Sequence, residues 1–474
     1  MLRLTRALVF VLAAPAALSA QEAPVAITGV TVIDVESGRR LADQTVIVRG
    51  NRIAEAGAGL RVPSGARVVD GAGRFLIPGL WDAHVHAVHP FAAQLFFPLL
   101  VANGVTGVRD MWGVLGARDS LRQEVVRGRL AGPRFVTPGH ILDGVPPIWA
   151  GSSGAGDAAT AERLVDSLAA AGAAFIKVYS RLEPDVFRAV ARRTKARGLP
   201  FAGHVPTLVP AGEASDLGQA SVEHLTNVAM DCSGDADALR AELQAAVASP
   251  ARWDSVLRVG SRHASRIART FDRERCRALA ARFARNGTRM VPTLQVLRST
   301  AFLDDSTLRA DPRLRFIPSS WSSRWNPSSD FRFRNVTPEQ WAARKRGYER
   351  SLELVRLLHE AGVTFLAGTD LSNPYIYPGF SLHDELRAFV ALGFSPLEAL
   401  RAATLEPARY LGLADSLGTV ARGKVADLVL LEADPLTDIG NTTRIAAVIA
   451  DGRLYDREAL DRLFGEAERR ARTP

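Results

Sequence analysis

Residues 75–86 read Phe-Leu-Ile-Pro-Gly-Leu-Trp-Asp-Ala-His-Val-His. A short apolar run restarted by a Pro-Gly step reads as a buried strand, and it ends with His84 and His86 two residues apart. Residues two apart in a strand share a face, so both imidazoles point the same way at the strand's C-terminal end. A His-X-His pair alone is a short motif that two surface histidines also satisfy, so its meaning depends on the rest of the chain.

Further apolar runs follow at 104–111 (GVTGVRDM), 133–143 (PRFVTPGHILD), 173–180 (AAFIKVYS), 199–206 (LPFAGHVP), 219–226 (QASVEHLT), 288–296 (TRMVPTLQV) and 363–371 (VTFLAGTDL). Amphipathic stretches with helical spacing separate most of them, as at 161–173 and 184–198. Eight strand-plus-helix units predict an α/β chain whose residues 78–405 form a (β/α)8 TIM barrel. A doubly wound open sheet would carry a Gly-rich phosphate turn after its first strand, and none is present. Both flanks read differently. Residues 21–77 and 406–474 carry short alternating segments with Asn-Arg and Asp-Gly turns, which predict one small β-sandwich built from both chain ends, plus a C-terminal helix. Residues 227–340 depart most from the alternation; they hold both cysteines and the piece IPSSWSSRWNPSSD, and read as a lid-like insertion over the barrel mouth.

The chain has 474 residues and a formal charge of +9, with 59 basic against 50 acidic side chains, of which only Lys177, Lys195, Lys345 and Lys424 are lysines. The arginines are interleaved with acids and form no basic run, which argues against a nucleic-acid partner. Residues 1–20 place Arg3 and Arg6 before an apolar run from Ala7 to Leu18 and small residues Ser19 and Ala20, the pattern of a signal peptide cleaved before Gln21. The expectation is an exported chain, periplasmic or extracellular, without a membrane span after cleavage. Such compartments permit a Cys232–Cys276 disulfide, whose geometry stays open at this level, as does assembly into a homo-oligomer.

The strand ends carry the chemistry. His204 closes the fifth strand, His224 the sixth and Asp370 the eighth, and four of the nine histidines fall at such ends. Imidazole nitrogens with one carboxylate oxygen make a donor set suited to Zn²⁺. Lys177 sits inside an apolar strand, where a protonated amine is costly. Without its proton the amine can react with carbon dioxide to give an anionic carbamate.

The DAHVH, IKVY, GHV, EHL and GTD elements, in this order, resemble the amidohydrolase superfamily in its binuclear form with a carboxylated lysine. GVTGVRDM, PGHILDG and SLHDEL resemble its imidazolonepropionase-like and prolidase-like (Xaa-Pro dipeptidase) branch. The resemblance implies two divalent metals, Zn²⁺ as the expected ion, with His84, His86 and Asp370 on the first, His204 and His224 on the second, and carboxylated Lys177 between them. It implies a metal-bridging hydroxide as nucleophile, Asp370 as the proton carrier, and an amide bond in a dipeptide or N-acyl amino acid as the target. Cyclic-amide, lactone or ester hydrolysis on the same metal core is the alternative, and a non-catalytic secreted binding protein is disfavoured because all six ligands are present. Tyr179, on the Lys177 face, and His140, after the third strand, are the remaining catalytic candidates. Arg109 and Asp110 are expected in mutual or structural pairing rather than in binding a substrate carboxylate, His383 and Asp384 to be helix-terminal polar residues, and His89, His263 and His359 to be ordinary histidines.

Overall fold

In a computed structural model of the chain, residues 23–249, 252–330 and 332–472 are described. The predicted signal segment, 1–20, lies outside them. Leu80–Val85 is a strand buried along its whole length. It pairs in parallel with Val105–Asp110, which pairs with Arg134–Val136. A second parallel set runs Ile176–Val178, Phe201–Gly203, Gln219–Glu223 and Arg289–Val291. Backbone hydrogen bonds join the two sets. The Ala174 N–H donates to Thr137 C=O at 2.9 Å, linking the third strand to the fourth. On the other side, residues 363–371 serve as the eighth strand. Leu366 N–H donates to Met290 C=O at 2.9 Å, Ala83 N–H to Ala367 C=O at 2.8 Å, and Asp370 N–H to His84 C=O at 2.8 Å. The barrel therefore closes as a ring of eight short strands, buried inside and out because helices cover its exterior.

The crossover helices carry recognisable start and stop signals. Asp157 accepts from Thr160 N–H at the start of Ala158–Ala170. Pro184–Arg197 opens on a proline and stops at Gly198, whose φ of 63° only glycine adopts cheaply. Pro338–Glu360 begins with a Thr337/Gln340 capping box.

Both chain ends contribute to one eight-stranded sheet. Val25–Ile33 pairs with Arg40–Arg49 on one side and with Arg67–Asp70 and Phe75–Pro78 on the other, and Phe75–Pro78 pairs with Leu428–Leu431. The strand Arg52–Ala58 at the far edge comes back to residues 423–426 through Ile53 N–H to Lys424 C=O at 2.9 Å and Ala426 N–H to Asn51 C=O at 2.9 Å. The expected sandwich is thus a single sheet curled over its own apolar face, where Val30, Val46 and Leu76 meet Leu428, Leu430 and Ile449. The C-terminal helix, Arg457–Arg472, packs against the first barrel helix, Pro90–Ala102.

The segment 227–340 is not one insertion. It holds the helix Arg273–Asn286 and the seventh strand Arg289–Val291, which belong to the barrel. A helical hairpin, Ala236–Val247 with Arg252–Arg269, precedes them, and an irregular excursion from Phe302 to Thr337 follows. The Cys232–Cys276 disulfide, with Cα atoms 4.5 Å apart, ties the root of the hairpin to the barrel helix. Among the described residues, no helix is long and apolar enough to cross a membrane.

Candidate active site

The C-terminal ends of the barrel strands open into one cavity of about 500 Å³, and His84, His86, Lys177, His204, His224 and Asp370 all line it. Strand alternation accounts for His84 and His86. Their Nε2 atoms lie 3.3 and 2.9 Å from Asp370 Oδ1. His224 Nε2 is 3.9 Å from Asp370 Oδ2, and the ring centroids of His204 and His224 are 5.0 Å apart. Alternation does not account for His224 or Asp370. Both leave strand geometry, with φ of 57° and 62°, values that side chains other than glycine adopt only when their surroundings hold them there. That departure lets two consecutive residues, Glu223 and His224, both face inward.

Lys177 is 1% exposed. Burial pushes its amine down to about 8, against support from Glu223 and Asp370. Gly203 lies beside it with φ of 136°, and a Cβ there would meet Val178 C=O at 2.2 Å and Lys177 Cδ at 3.0 Å. Glycine before His204 is therefore what lets the fifth strand pass the lysine.

Second-layer contacts orient the imidazoles. His84 Nδ1 lies 2.7 Å from Glu223 Oε2, so its N–H faces the carboxylate and Nε2 presents a lone pair to the cavity. Thr293 Oγ1 donates to Pro292 C=O at 2.7 Å and so accepts from His224 Nδ1, 2.6 Å away, which frees His224 Nε2 in the same sense. Burial, reinforced by Lys177, holds His84 and His204 well below the ordinary imidazole value, and burial takes His224 down to about 4. Burial alone would raise Asp370, but the electrostatic pull of the adjoining imidazoles of His84, His224 and His86 outweighs it and holds the carboxyl well below its usual range.

This donor set fits a cation. His84 Nε2 and Asp370 Oδ1 are buried, face each other at 3.3 Å and are hydrogen-bonded to nothing. Two lone-pair atoms in that position repel unless a positive ion lies between them. His84, His224 and Asp370 bring ligand atoms within 4.8 Å of one another.

Tyr179 belongs to the site: its ring stacks on His204 at 3.9 Å and its hydroxyl accepts from Trp149 Nε1 at 2.8 Å. His140 does not. The third strand ends at Val136, and in the turn beyond it Ile141 faces the cavity while His140 is exposed. Arg109 and Asp110 are both in structural pairings, though with other groups and not with each other. Arg109 grips Glu223 at 2.8 and 2.9 Å, and Asp110 accepts from the Ala87 and Val88 amides and the Thr137 hydroxyl. His383 is buried between Thr442 and Asn103, and Asp384 pairs with Arg313. His89 caps a helix, His263 meets Glu242 and His359 stacks on Phe394. The sequence reading missed Glu223, Thr293, Trp149 and the cavity residues Arg324, Trp325 and Arg332. Of these only Glu223 carried a signal, as an acid next to a strand-end histidine.

Imidazoles, a buried lysine and an aspartate at the C-terminal mouth of a (β/α)8 barrel define a barrel hydrolase whose site offers the donors for a metal ion. Residues 326–455 match the Amidohydrolase family. The imidazolonepropionase of Ralstonia nicotianae is 26% identical over 445 residues, 88% of this chain and 94% of that protein. The adenine deaminase of Rubrobacter xylanophilus is 38% identical over 96 residues, and the chain spans only 16% of its length. Among solved structures, bottromycin amidohydrolase superposes with a TM-score of 0.71 and 26% identity, covering 94% of this chain and 90% of that one. Crystallised prolidases share the fold at lower identity. These likenesses together support the amidohydrolase superfamily as the chain's family.

Proposed function

We propose that the chain is an exported hydrolase that cleaves the amide bond of a dipeptide or N-acyl amino acid. The convergence of His84, His86, Lys177, His204, His224 and Asp370 on one cavity carries the reading. His84, His86 and Asp370 would hold one divalent ion and His204 and His224 a second, with Zn²⁺ suited to the donors and a carboxylated Lys177 between them. Such ions, when bound, polarise the scissile carbonyl and bring the pKa of water toward neutrality.

The residues supply the rest. An amine held near 8 is partly unprotonated in neutral and mildly alkaline solution, the state in which Lys177 can add carbon dioxide and release a proton. Asp370 stays ionised throughout that range, so its carboxylate takes the proton of the attacking water and passes it to the departing amine. Burial raises the Tyr179 phenol and keeps it protonated. Because its oxygen already accepts from Trp149, its own proton is free to point at the carbonyl oxygen as charge develops.

The test is a library of dipeptides and N-acyl amino acids incubated with zinc-reconstituted protein and scored for released amino acid. Turnover is expected. Silence there, with turnover of cyclic amides or lactones, would replace this reading with the second one, which the full-length likeness to an imidazolonepropionase favours.

A further inference from the structure

The cavity's charges are unevenly matched. Apart from the cluster of Lys177, Asp370 and the neutral imidazoles, two cations line it, Arg324 and Arg332. Arg332 is neutralised by Asp330, whose carboxylate it grips with Nε at 3.0 Å and a terminal nitrogen at 2.6 Å, and it also donates to Asn373 at 3.2 Å. Arg324 is exposed at the mouth, and no acid among the described residues lies within ion-pair distance of it. No anion of the cavity is left over, since Asp330 is held by Arg332, Asp370 sits among the imidazoles and the carbamate proposed on Lys177 would be taken up by the bound ions. Cations bound at the histidines would add still more positive charge. The remaining walls are aromatic: Trp112, Trp149, Tyr179 and Trp325, three of them among the seven tryptophans of the chain.

A site with a surplus cation and no surplus anion accepts a substrate carrying one negative charge. It penalises an ammonium, which would enter without a partner. We infer that Arg324 is the specificity-determining residue, receiving the free carboxylate of the leaving amino acid, and that the acyl side is uncharged. The substrate class is then an N-acylated amino acid with an apolar or aromatic side chain against the tryptophans, and a free dipeptide is the poorer substrate. This rests on the amide-hydrolase reading above and narrows it.

Three compounds separate the possibilities: N-acetyl-L-phenylalanine, its neutral C-terminal amide and glycyl-L-phenylalanine. For the zinc-reconstituted protein, kcat/KM is expected to fall in that order. In Arg324→Gln the ratio of kcat/KM for the acid to that for its amide should drop about ten- to a hundredfold, mainly through KM, as for loss of one charge-assisted hydrogen bond. Arg324→Lys should restore part of it. Inhibition by 3-phenylpropanoate, which has the carboxylate and ring but no scissile bond, should weaken in parallel. Arg324 makes no side-chain contact that folding depends on, so a folded variant is expected. An unchanged ratio in Arg324→Gln, or a dipeptide turned over as well as the acetylated acid, overturns this inference while leaving amide hydrolysis intact. Silence of the parent protein on all three overturns the amide reading and the inference with it.

Discussion

Replacing Glu223 with Gln tests how the site is held together. Glu223 is completely buried and its carboxylate takes four hydrogen bonds from three groups: Arg109 on both oxygens, the Ser221 hydroxyl on Oε1 at 2.5 Å and the His84 ring on Oε2 at 2.7 Å. Gln keeps the shape, but whichever way its amide turns, its NH₂ faces a donor. If it faces His84, the imidazole must move its proton to Nε2 to become an acceptor, and Nε2 can then no longer ligate. If it faces Ser221, it confronts Arg109. Arg109, 1% exposed, meanwhile loses the charge that balances it. Removing one charge of a buried pair costs about 3–5 kcal/mol of stability. Removing the carboxylate behind a ligating histidine costs about 10- to 100-fold in metal affinity. Competition against a chromophoric chelator reads the affinity, and denaturant unfolding of the metal-free protein reads the stability. The double variant Glu223→Met/Arg109→Met separates the two effects. It removes both charges and should recover part of the stability without recovering the affinity. Wild-type metal affinity in folded Glu223→Gln would refute the assignment of Glu223 as the group that positions His84.

His383 gives a pH signature away from the metal ligands. Burial takes it down to about 4 from its ordinary 6.5, so the folded state keeps it neutral while the unfolded chain binds a proton below 6.5. Its contribution is therefore complete above pH 6.5 and is lost, at about 1.4 kcal/mol per pH unit, as pH falls toward 4. The stability of His383→Gln should fall less steeply over that window, as read by urea midpoints. The Cys232–Cys276 bond closes a loop with a sequence separation of 44, for which chain entropy allows up to about 4 kcal/mol. Cys232→Ser should lower the thermal midpoint and expose residues 233–275 to limited proteolysis, mapped by mass spectrometry, while bound metal is retained. Reconstitution in carbonate-free buffer should give slower recovery of activity than with added bicarbonate, since the carbamate proposed on Lys177 would draw its carbon from carbon dioxide.

The barrel was legible because its period is simple. Short runs buried on both faces, with helical stretches between them, leave few alternatives, and His84 and His86 follow from alternation alone. Scarcity helped with Lys177, a lysine on an apolar strand in a chain with only four. What could not be read depends on backbone turns and on contacts distant in sequence. The positive φ of His224 and Asp370 breaks the alternation rule that would have turned Glu223 outward. Arg109 reaches Glu223 across 114 residues, where its neighbour Asp110 was the obvious partner in sequence. His140 follows a strand as His204 and His224 do, but the turn after Val136 aims Ile141 inward instead. The stretch 227–340 looked like one insertion because its seventh strand, Arg289–Val291, is only three residues long.

Elemental analysis of the purified protein reads the proposed metal centre itself, with Lys177→Ala and Asp370→Asn measured beside it. Close to two divalent transition-metal ions are expected per wild-type chain, and fewer in both variants, with turnover lost in step. A wild-type chain that holds no such metal after reconstitution, or a Lys177→Ala protein with full metal and full turnover, would contradict the proposed centre.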